Sequence, residues 1–537
     1  MKKLFALFLA LILLCGCSTQ SQEPTSSTTA SAPLGETTPG ESVKPARFGM
    51  SYLPESGLNP YTCDATINRA TFSLLYESLF VVSNQFRSEP LLCDSFTVSE
   101  DGKTYRFTLL SDVCFSDGTA LTGADVAASL RAAADSDFYA GRLEHMSSVS
   151  AEGNVVTVRL NTAYENFSLM LDVPILKESS IDSQTPIGTG AYAVQGAQLV
   201  RNRYWWQTQA PAVNLETISL STAATQSELR DDFEFGGTDI IYCDPNSPAA
   251  IHYRCDYEVW EVPTTVLHYI GFNLSKGIFT NATLRTAVTY AVDREGLVAS
   301  VYGGFAVPTV FPCSPNSDLY DTQLASSYVY DAPHFRSAVH NSGVVTSEAT
   351  AGVFLVCSDD PVRVKAAEQI AEEMKSCGLY LTVKALSWKE YRTALRQGAY
   401  DLYFGEVRLT ANFDLSEFFA SNGNLNYGSI ADASLSTLCL AALENSGSYA
   451  ELCKQLLDNA PICPVVFKSY AIYVTRGAIS SVTPALDCVF HNSATARTLA
   501  DADKTYAETE STSESSEPTE PSAPAEPSTA VEPPAER

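Results

Sequence analysis

Residues 266–301 read VLHYIGFNLSKGIFTNATLRTAVTYAVDREGLVASV, and this stretch decides how the rest of the chain is taken. Val266 to Asn273 is rich in β-branched and aromatic residues and reads as a strand. Thr280 or Asn281 then offers a side-chain oxygen where a helix should begin, to meet backbone N–H groups that the first turn leaves unpaired. Leu284, Ala287, Val288, Ala291 and Val292 recur at i, i+3, i+4, i+7 and i+8, one apolar stripe of an amphipathic helix. A second short helical pattern, Leu297, Val298 and Val301, stops at Gly303-Gly304. By periodicity alone, this is a strand feeding a core helix.

Upstream, Asp101-Gly102 separates two alternating apolar/polar runs, a strong local hairpin signal. Tyr105, Phe107 and Leu109 then share one face of the second strand, and Asp117-Gly118 makes another turn. Thr122 and Asp125 have capping-box spacing and open a helix through Ala127 and Leu130. Gly188 to Ala193 fits G-x-G-x-x-A, yet it runs into the alternating strand Tyr192-Ala193-Val194 instead of opening a helix; it is a turn, not a nucleotide fingerprint. Downstream, Val353 to Val356 is a short buried strand. Asp359 or Asp360 caps a helix that starts at Pro361, buries Val364, Ala367, Ile370, Ala371 and Met374, and ends at Gly378. Leu379, Leu381 and Val383 alternate, Trp388, Tyr391 and Leu395 mark a helix, and Asp401 to Phe404 is a further strand. Strands alternating with helices predict right-handed crossovers and a mainly parallel sheet. Pro461 to Val474 reads as one more strand.

In this order the segments resemble the family 5 extracellular solute-binding proteins, the oligopeptide- and dipeptide-binding components of ABC importers. The matching residues in the central stretch are Phe272-Asn273, Arg285, Ala287, Tyr290, Ala291, Asp293 and Arg294. Others are Leu58-Asn59-Pro60 with Tyr76 to Phe80, the hairpin and capped helix of Ser95 to Leu130, Pro186 to Tyr192, Arg201 to Trp205, and Phe235 to Ile240. The resemblance runs from about Arg47 to Ser493. It implies an α/β, two-lobed periplasmic-binding-protein-like fold (type II, with an extra subdomain) and a hinge near 265 and 465. Lobe I would comprise 45–75, 180–265 and 465–500, the extra subdomain 76–179, and lobe II 266–464. The function implied is capture of a peptide-like solute between closing lobes and delivery to the permease subunits of an ABC transporter. A non-peptide solute (a metal chelate or a glycan) or a surface peptide sensor without transport are the alternatives.

In the family's peptide binders an Asp near the end of a lobe II strand receives the peptide ammonium. The corresponding stretch here is Gly405 to Asp414. Asp414 matches a second family carboxylate, but the ammonium-binding position falls at Ala411 or Asn412, so the expected carboxylate is missing. Glu406 is a substitute for it, and Arg408 has the planar fork that clamps a carboxylate bidentately; the two also read as a solvated pair at a strand end. Tyr61, Tyr427, Trp205 and Trp388 are aromatic candidates for the cleft or the core.

Composition narrows the rest. The chain has 537 residues and a net charge of −28, which argues against a nucleic-acid partner. Lys2-Lys3 precede the apolar run Leu4 to Leu14, a signal-peptide pattern too short to span a bilayer. The run ends in Leu14-Cys15-Gly16-Cys17, which resembles a lipobox with Cys17 as the lipidated residue, so 1–17 is expected to be a lipoprotein signal and the mature chain anchored outside the cytoplasmic membrane. Residues 18–44 form a Ser/Thr/Pro/Gly tether and 501–537 a disordered acidic tail. The 12 cysteines beyond Cys17 form no CxxC pair, and connectivity is not readable from them. The 6 histidines (His145, His252, His268, His334, His340 and His491) have no motif-spaced partner, and no hydrolase, zinc-protease or P-loop motif occurs. The expectation is a binding protein, not an enzyme, monomeric, with no metal and no cofactor.

Overall fold

A computed structural model describes residues 48–491, apart from 208–214 and the single positions 249, 251, 429, 431, 480, 481, 483 and 487. The expected signal peptide with Cys17, the tether and the acidic tail lie outside the described residues.

Two long antiparallel strands, Tyr257–Phe272 and Ile462–Thr475, run through the middle of one 11-stranded sheet. On one side Tyr257–Phe272 pairs with Leu402–Arg408, followed by the parallel strands Gly352–Cys357 and Leu381–Leu386. On the other, Ile462–Thr475 pairs with Ile240–Cys243, followed by Gly49–Tyr52, Thr217–Thr222 and the hairpin Tyr192–Gln195/Gln198–Arg201. The short strand Ala306–Pro308 lies against Ile462–Thr475. The sheet is therefore mixed: the parallel arrangement expected downstream holds for its Gly352–Arg408 end, which is built from strand–helix crossovers. A separate 4-stranded antiparallel sheet has the order Cys93–Val98, Thr104–Leu109, Val155–Leu160, Met146–Glu152.

The strand expected from Val266 is the second half of a 16-residue strand, because the alternating aromatic and β-branched residues begin at Tyr257. Its register slips between Pro263 and Leu267, where proline supplies no N–H to the ladder. Farther on, Gly271 lies opposite Tyr403 and Tyr269 opposite Gly405. A Cβ on Gly271 would sit 2.2 Å from the Tyr403 ring, and one on Gly405 2.5 Å from the Tyr269 ring. Each glycine thus opens the seat for its neighbour's ring, and the two rings meet edge to face at 5.8 Å.

The central helix is shorter than its stripe: α-helical turns cover Ala282–Ala287, and Val288–Ala291 tightens to 3₁₀. Asn281 caps it, its Oδ1 accepting from the Leu284 N–H at 3.1 Å. Leu284, Ala287, Val288, Ala291 and Val292 are all buried. Arg294 follows, also buried, and among the described residues no carboxylate meets it. Its Nε donates to Thr309 O at 2.8 Å and Pro464 O at 3.1 Å, and its Nη2 to Pro464 O at 2.8 Å and Thr289 Oγ1 at 3.1 Å. Nη1 donates to Thr289 O at 3.1 Å. The central stretch is thereby tied to the strand Ile462–Thr475.

In the small sheet Tyr105, Phe107 and Leu109 are buried together, and Thr122 donates through N and Oγ1 to Asp125 Oδ2 at 3.0 and 2.6 Å at the start of the helix Gly123–Ala134. The glycine turn at 188–190 packs on the end of the helix Phe72–Leu75, where a Cβ on Gly190 would lie 2.5 Å from Leu74 O. The 12 cysteines from Cys63 to Cys488 are free thiols, 8 of them buried as small apolar groups. No helix among the described residues is long and apolar enough to cross a membrane.

Candidate functional site

The small-sheet segment meets the far side of the molecule along a seam. The Glu165 N–H donates to Leu443 O at 2.8 Å, and the Ser446 N–H to Glu165 Oε2 at 2.7 Å. Phe86 packs on Phe413 with centroids 4.9 Å apart, and Arg87 meets Asp318 with two bonds of 2.8 and 2.9 Å in an exposed pair. His145 Nε2 lies 3.4 Å from Asp414 Oδ2. Burial pushes the Asp414 carboxyl up, but the bonds from His145 and from Ser416 N and Oγ (2.9 and 2.7 Å) outweigh it and hold it below its ordinary range. The Asp414 bond raises the pKa of His145 against the opposing effect of burial. A cavity of about 300 Å³ lies in this seam, lined by Tyr164 and Asn166 on one side and Ser317, Asn412 and Tyr449 on the other.

A second cluster sits where the long strands cross the sheet. His268 is opposite Glu406 in the ladder, and its Nε2 is 2.8 Å from Glu406 Oε2 while Nδ1 is 2.7 Å from the Tyr302 hydroxyl. Burial keeps His268 neutral, so Nε2–H donates to Glu406 and Nδ1 accepts from Tyr302. Lys468 Nζ lies 2.6 Å from Asp244 and 3.5 Å from Glu406, and Arg363 Nε 3.0 Å from Asp360. Burial raises the Glu406 carboxyl, but its His268 bond and the Lys468 and Arg363 charges leave it well below the usual range. Burial likewise opposes charge on Lys468, and Asp244 and Glu406 more than offset it. Donor atoms of His268, Asp360 and Glu406 lie within 4.8 Å of one another, a spacing that suits a metal. The chemistry does not: a divalent ion would meet the fixed charges of Lys468 and Arg363, which already neutralise both carboxylates. This is an ion-pair network that braces the strand crossing.

Beyond Glu406 on the same strand, Arg408 points to a third cluster. Its Nη2 donates to the Tyr470 hydroxyl at 3.2 Å, and its guanidinium lies 5.1 Å from the Phe138 ring centroid. Arg69 stacks on the same ring at 3.3 Å, and Arg142, paired with Asp172 at 3.1 Å, lies 5.3 Å from it. A cavity of about 160 Å³ adjoins, lined by Arg69, Ser73, Glu77, Arg142, Asp172 and His491 among others. Burial raises the Glu77 carboxyl, countered in part by four donors: Thr189 Oγ1 at 2.7 Å, Trp205 Nε1 at 3.1 Å, Trp206 Nε1 at 2.8 Å and Gln207 Nε2 at 3.2 Å.

The charged and amide residues singled out from sequence are thus distributed over three places. Asn412 and Asp414 belong to the seam, Glu406 to the strand crossing, and Arg408 to the guanidinium–aromatic cluster. Tyr61 is buried, its hydroxyl donating to Pro174 O and its ring edge-on to Tyr139. Tyr427 is half-buried, its ring against Tyr403 and its carbonyl accepting from Tyr400 at 2.5 Å. Trp205 is bound to Glu77, and Trp388 is 50% exposed, stacked on Tyr391. Sequence reasoning passed over Arg69, Phe138, Arg142 and Lys468, and found no partner for His268. The one signal for Arg69 was the single charged residue in TINRATFSLL, a segment with five apolar positions.

Residues 87–427 match the family model for bacterial extracellular solute-binding proteins, family 5. The glutathione-binding protein GsiB of Shigella flexneri is 24% identical over 307 residues, 53% of this chain and 59% of that protein. The chain therefore matches less than two thirds of that relative's length. Among solved structures, the ABC transporter substrate-binding protein CtaP of Listeria monocytogenes superposes with a TM-score of 0.69 at 17% identity, over 85% of this chain and 100% of that one. NikA of Brucella suis, solved with Fe(III)-EDTA, does so with a TM-score of 0.65 at 18% identity, over 82% and 97%. The chain belongs to the bacterial extracellular solute-binding proteins of family 5.

Proposed function

We infer that the protein captures a peptide-like solute between two halves of the molecule and delivers it to the permease of an ABC transporter. The observation that carries this reading is the seam. Residues 76–179 meet residues 266–464 through the hydrogen bonds, ion pairs and ring contact described above, around a cavity of about 300 Å³, while the sheet joins the halves through the two long strands. A cavity at a seam and a continuous connection elsewhere suit hinge closure, in which a solute favours the closed form by its preference for it. On this reading 45–75, 180–265 and 465–500 form lobe I with 76–179 as its extra subdomain, and 266–464 form lobe II. Arg408 and Asn412 face the solute, while Tyr61, Glu406, Asp414 and Tyr427 hold the frame.

Native mass spectrometry of the full-length protein purified from cells tests the solute class. A ladder of co-purified peptides supports the peptide assignment; a single metal chelate or non-peptide molecule overturns it and keeps solute capture. Cys17 anchors the protein through lipid at the outer face of the cytoplasmic membrane, since two or more acyl chains hold stably at about 0.8 kcal/mol per buried CH₂. Cys17→Ala should release the protein into the medium with binding intact, and membrane retention of that variant would count against the anchor.

A further inference from the structure

Arg69 is 9% exposed, and among the described residues its Nη1 and Nη2 have no hydrogen-bond partner. A buried guanidinium normally saturates its donors, because unmet N–H groups lose their hydration without replacement. The Phe138 ring at 3.3 Å covers one face of the Arg69 plane, but a ring face attracts the cation without accepting the in-plane N–H bonds. The carboxylates nearby are engaged: Asp172 pairs with Arg142, and Glu77 takes its four side-chain donors. Among the described residues, Ser73 Oγ and His491 Nδ1, which line the same cavity of about 160 Å³, are also buried without a partner.

We propose that this cavity is an anion subsite in which Arg69, Ser73 and His491 hold a carboxylate of the bound solute. The guanidinium edge matches a carboxylate with two parallel bonds, and the hydroxyl adds a third donor. Arg408 lies on the same Phe138 ring from the neighbouring strand end, so one aromatic ring links the subsite to the seam side. The ligand class is then an acidic or multiply carboxylated solute, although the chain itself carries −28. The assignment rests on the solute-binding reading above.

Calorimetric titration of the full-length protein with Ala-Glu-Ala, Ala-Gln-Ala, the C-terminal amides of both, and nitrilotriacetate separates the possibilities. Wild type should bind Ala-Glu-Ala at least tenfold more tightly than Ala-Gln-Ala amide. Arg69→Gln should erase that difference, Arg69→Lys should restore part of it, and Ser73→Ala should weaken the acid forms two- to tenfold. Arg69→Gln should also melt no lower than wild type without ligand, because it removes an unmet buried charge; if it does not fold, Arg69→Lys and Ser73→Ala carry the test. Equal binding of acids and amides by wild type, or undiminished discrimination in the Arg69 variants, overturns the subsite. Binding of nitrilotriacetate alone, lost in Arg69→Gln, keeps the subsite and overturns the peptide reading. No binding of any carboxylate probe overturns the subsite.

Discussion

Replacing Arg294 with methionine keeps the length and apolar contacts of the side chain and removes every donor. Three buried carbonyls, of Thr289, Thr309 and Pro464, then lose a charged partner that approaches to between 2.8 and 3.1 Å. A buried acceptor stranded in this way costs about 1–3 kcal/mol. Relief of the guanidinium's own desolvation works in the opposite direction, since burial already opposes its charge. Taking the low end for each carbonyl gives a net loss of about 3 kcal/mol. The unfolding entropy of roughly 430 described residues, at about 2.1 cal/mol/K each, is about 0.9 kcal/mol/K, so the melting midpoint should fall by about 3 °C. Arg294→Lys should recover little, because a single ammonium cannot span acceptors on three separate chain segments. Differential scanning calorimetry of both variants reads this directly. A midpoint for Arg294→Met within 1 °C of wild type would refute the reasoning.

Glu406→Gln keeps an acceptor for His268 but leaves Lys468 with Asp244 alone, and with Glu406 31% exposed the loss should be about 1–2 kcal/mol. Because the Glu406 carboxyl is depressed in the folded chain, its contribution is present above the ordinary carboxylate pKa and fades as pH falls through the depressed value. The variant should therefore melt lower at neutral pH and show a flatter acid limb; an unchanged midpoint and an unchanged limb would sink the assignment. His145 has the opposite sign: Asp414, with Glu144 nearby, raises its pKa, so its contribution is complete below the ordinary histidine value and is lost as pH rises through the raised one. His145→Gln should remove about 1 kcal/mol at pH 6 and almost nothing at pH 9. Equal effects of that substitution at both pH values would count against the ion pair.

Most of the frame was legible because its causes are local. Asn281, Asp360 and Thr122 cap helices through groups three residues away at most, and the Tyr105, Phe107, Leu109 alternation needs only the pleat of its own strand. The site was legible only in part, because its contacts join residues far apart in sequence. His145 and His268 showed no partner at motif spacing; their carboxylates, Asp414 and Glu406, are 269 and 138 residues away. Glu406 and Arg408 read equally as ligand groups or as a solvated pair, since alternation places them on one sheet face without saying what faces them. The strand that carries Lys468 supplies the neighbour that makes Glu406 a brace.

Two buried arginines separate frame from site. Arg294 and Arg69 are 6% and 9% exposed, so burial alone does not distinguish them. Arg294 has its donors met by carbonyls, a hydroxyl and a thiol from residues already fixed in the fold, and a ligand has nothing to add. Among the described residues, Arg69 has one face on Phe138 and two nitrogens without an acceptor, beside a cavity that holds two more unmet polar atoms, Ser73 Oγ and His491 Nδ1. Folding tolerates such a deficit only when other packing compensates it, and an incoming carboxylate removes it. Substitution at the two positions should therefore move stability in different directions: Arg294→Met lowers the midpoint of the empty protein, whereas Arg69→Gln leaves it level or raises it. A ligand-induced rise in midpoint should survive Arg294→Met and shrink in Arg69→Gln. If both substitutions lower the empty protein's midpoint alike and leave the ligand-induced rise intact, hydrogen-bond deficit is no guide to the site in this fold.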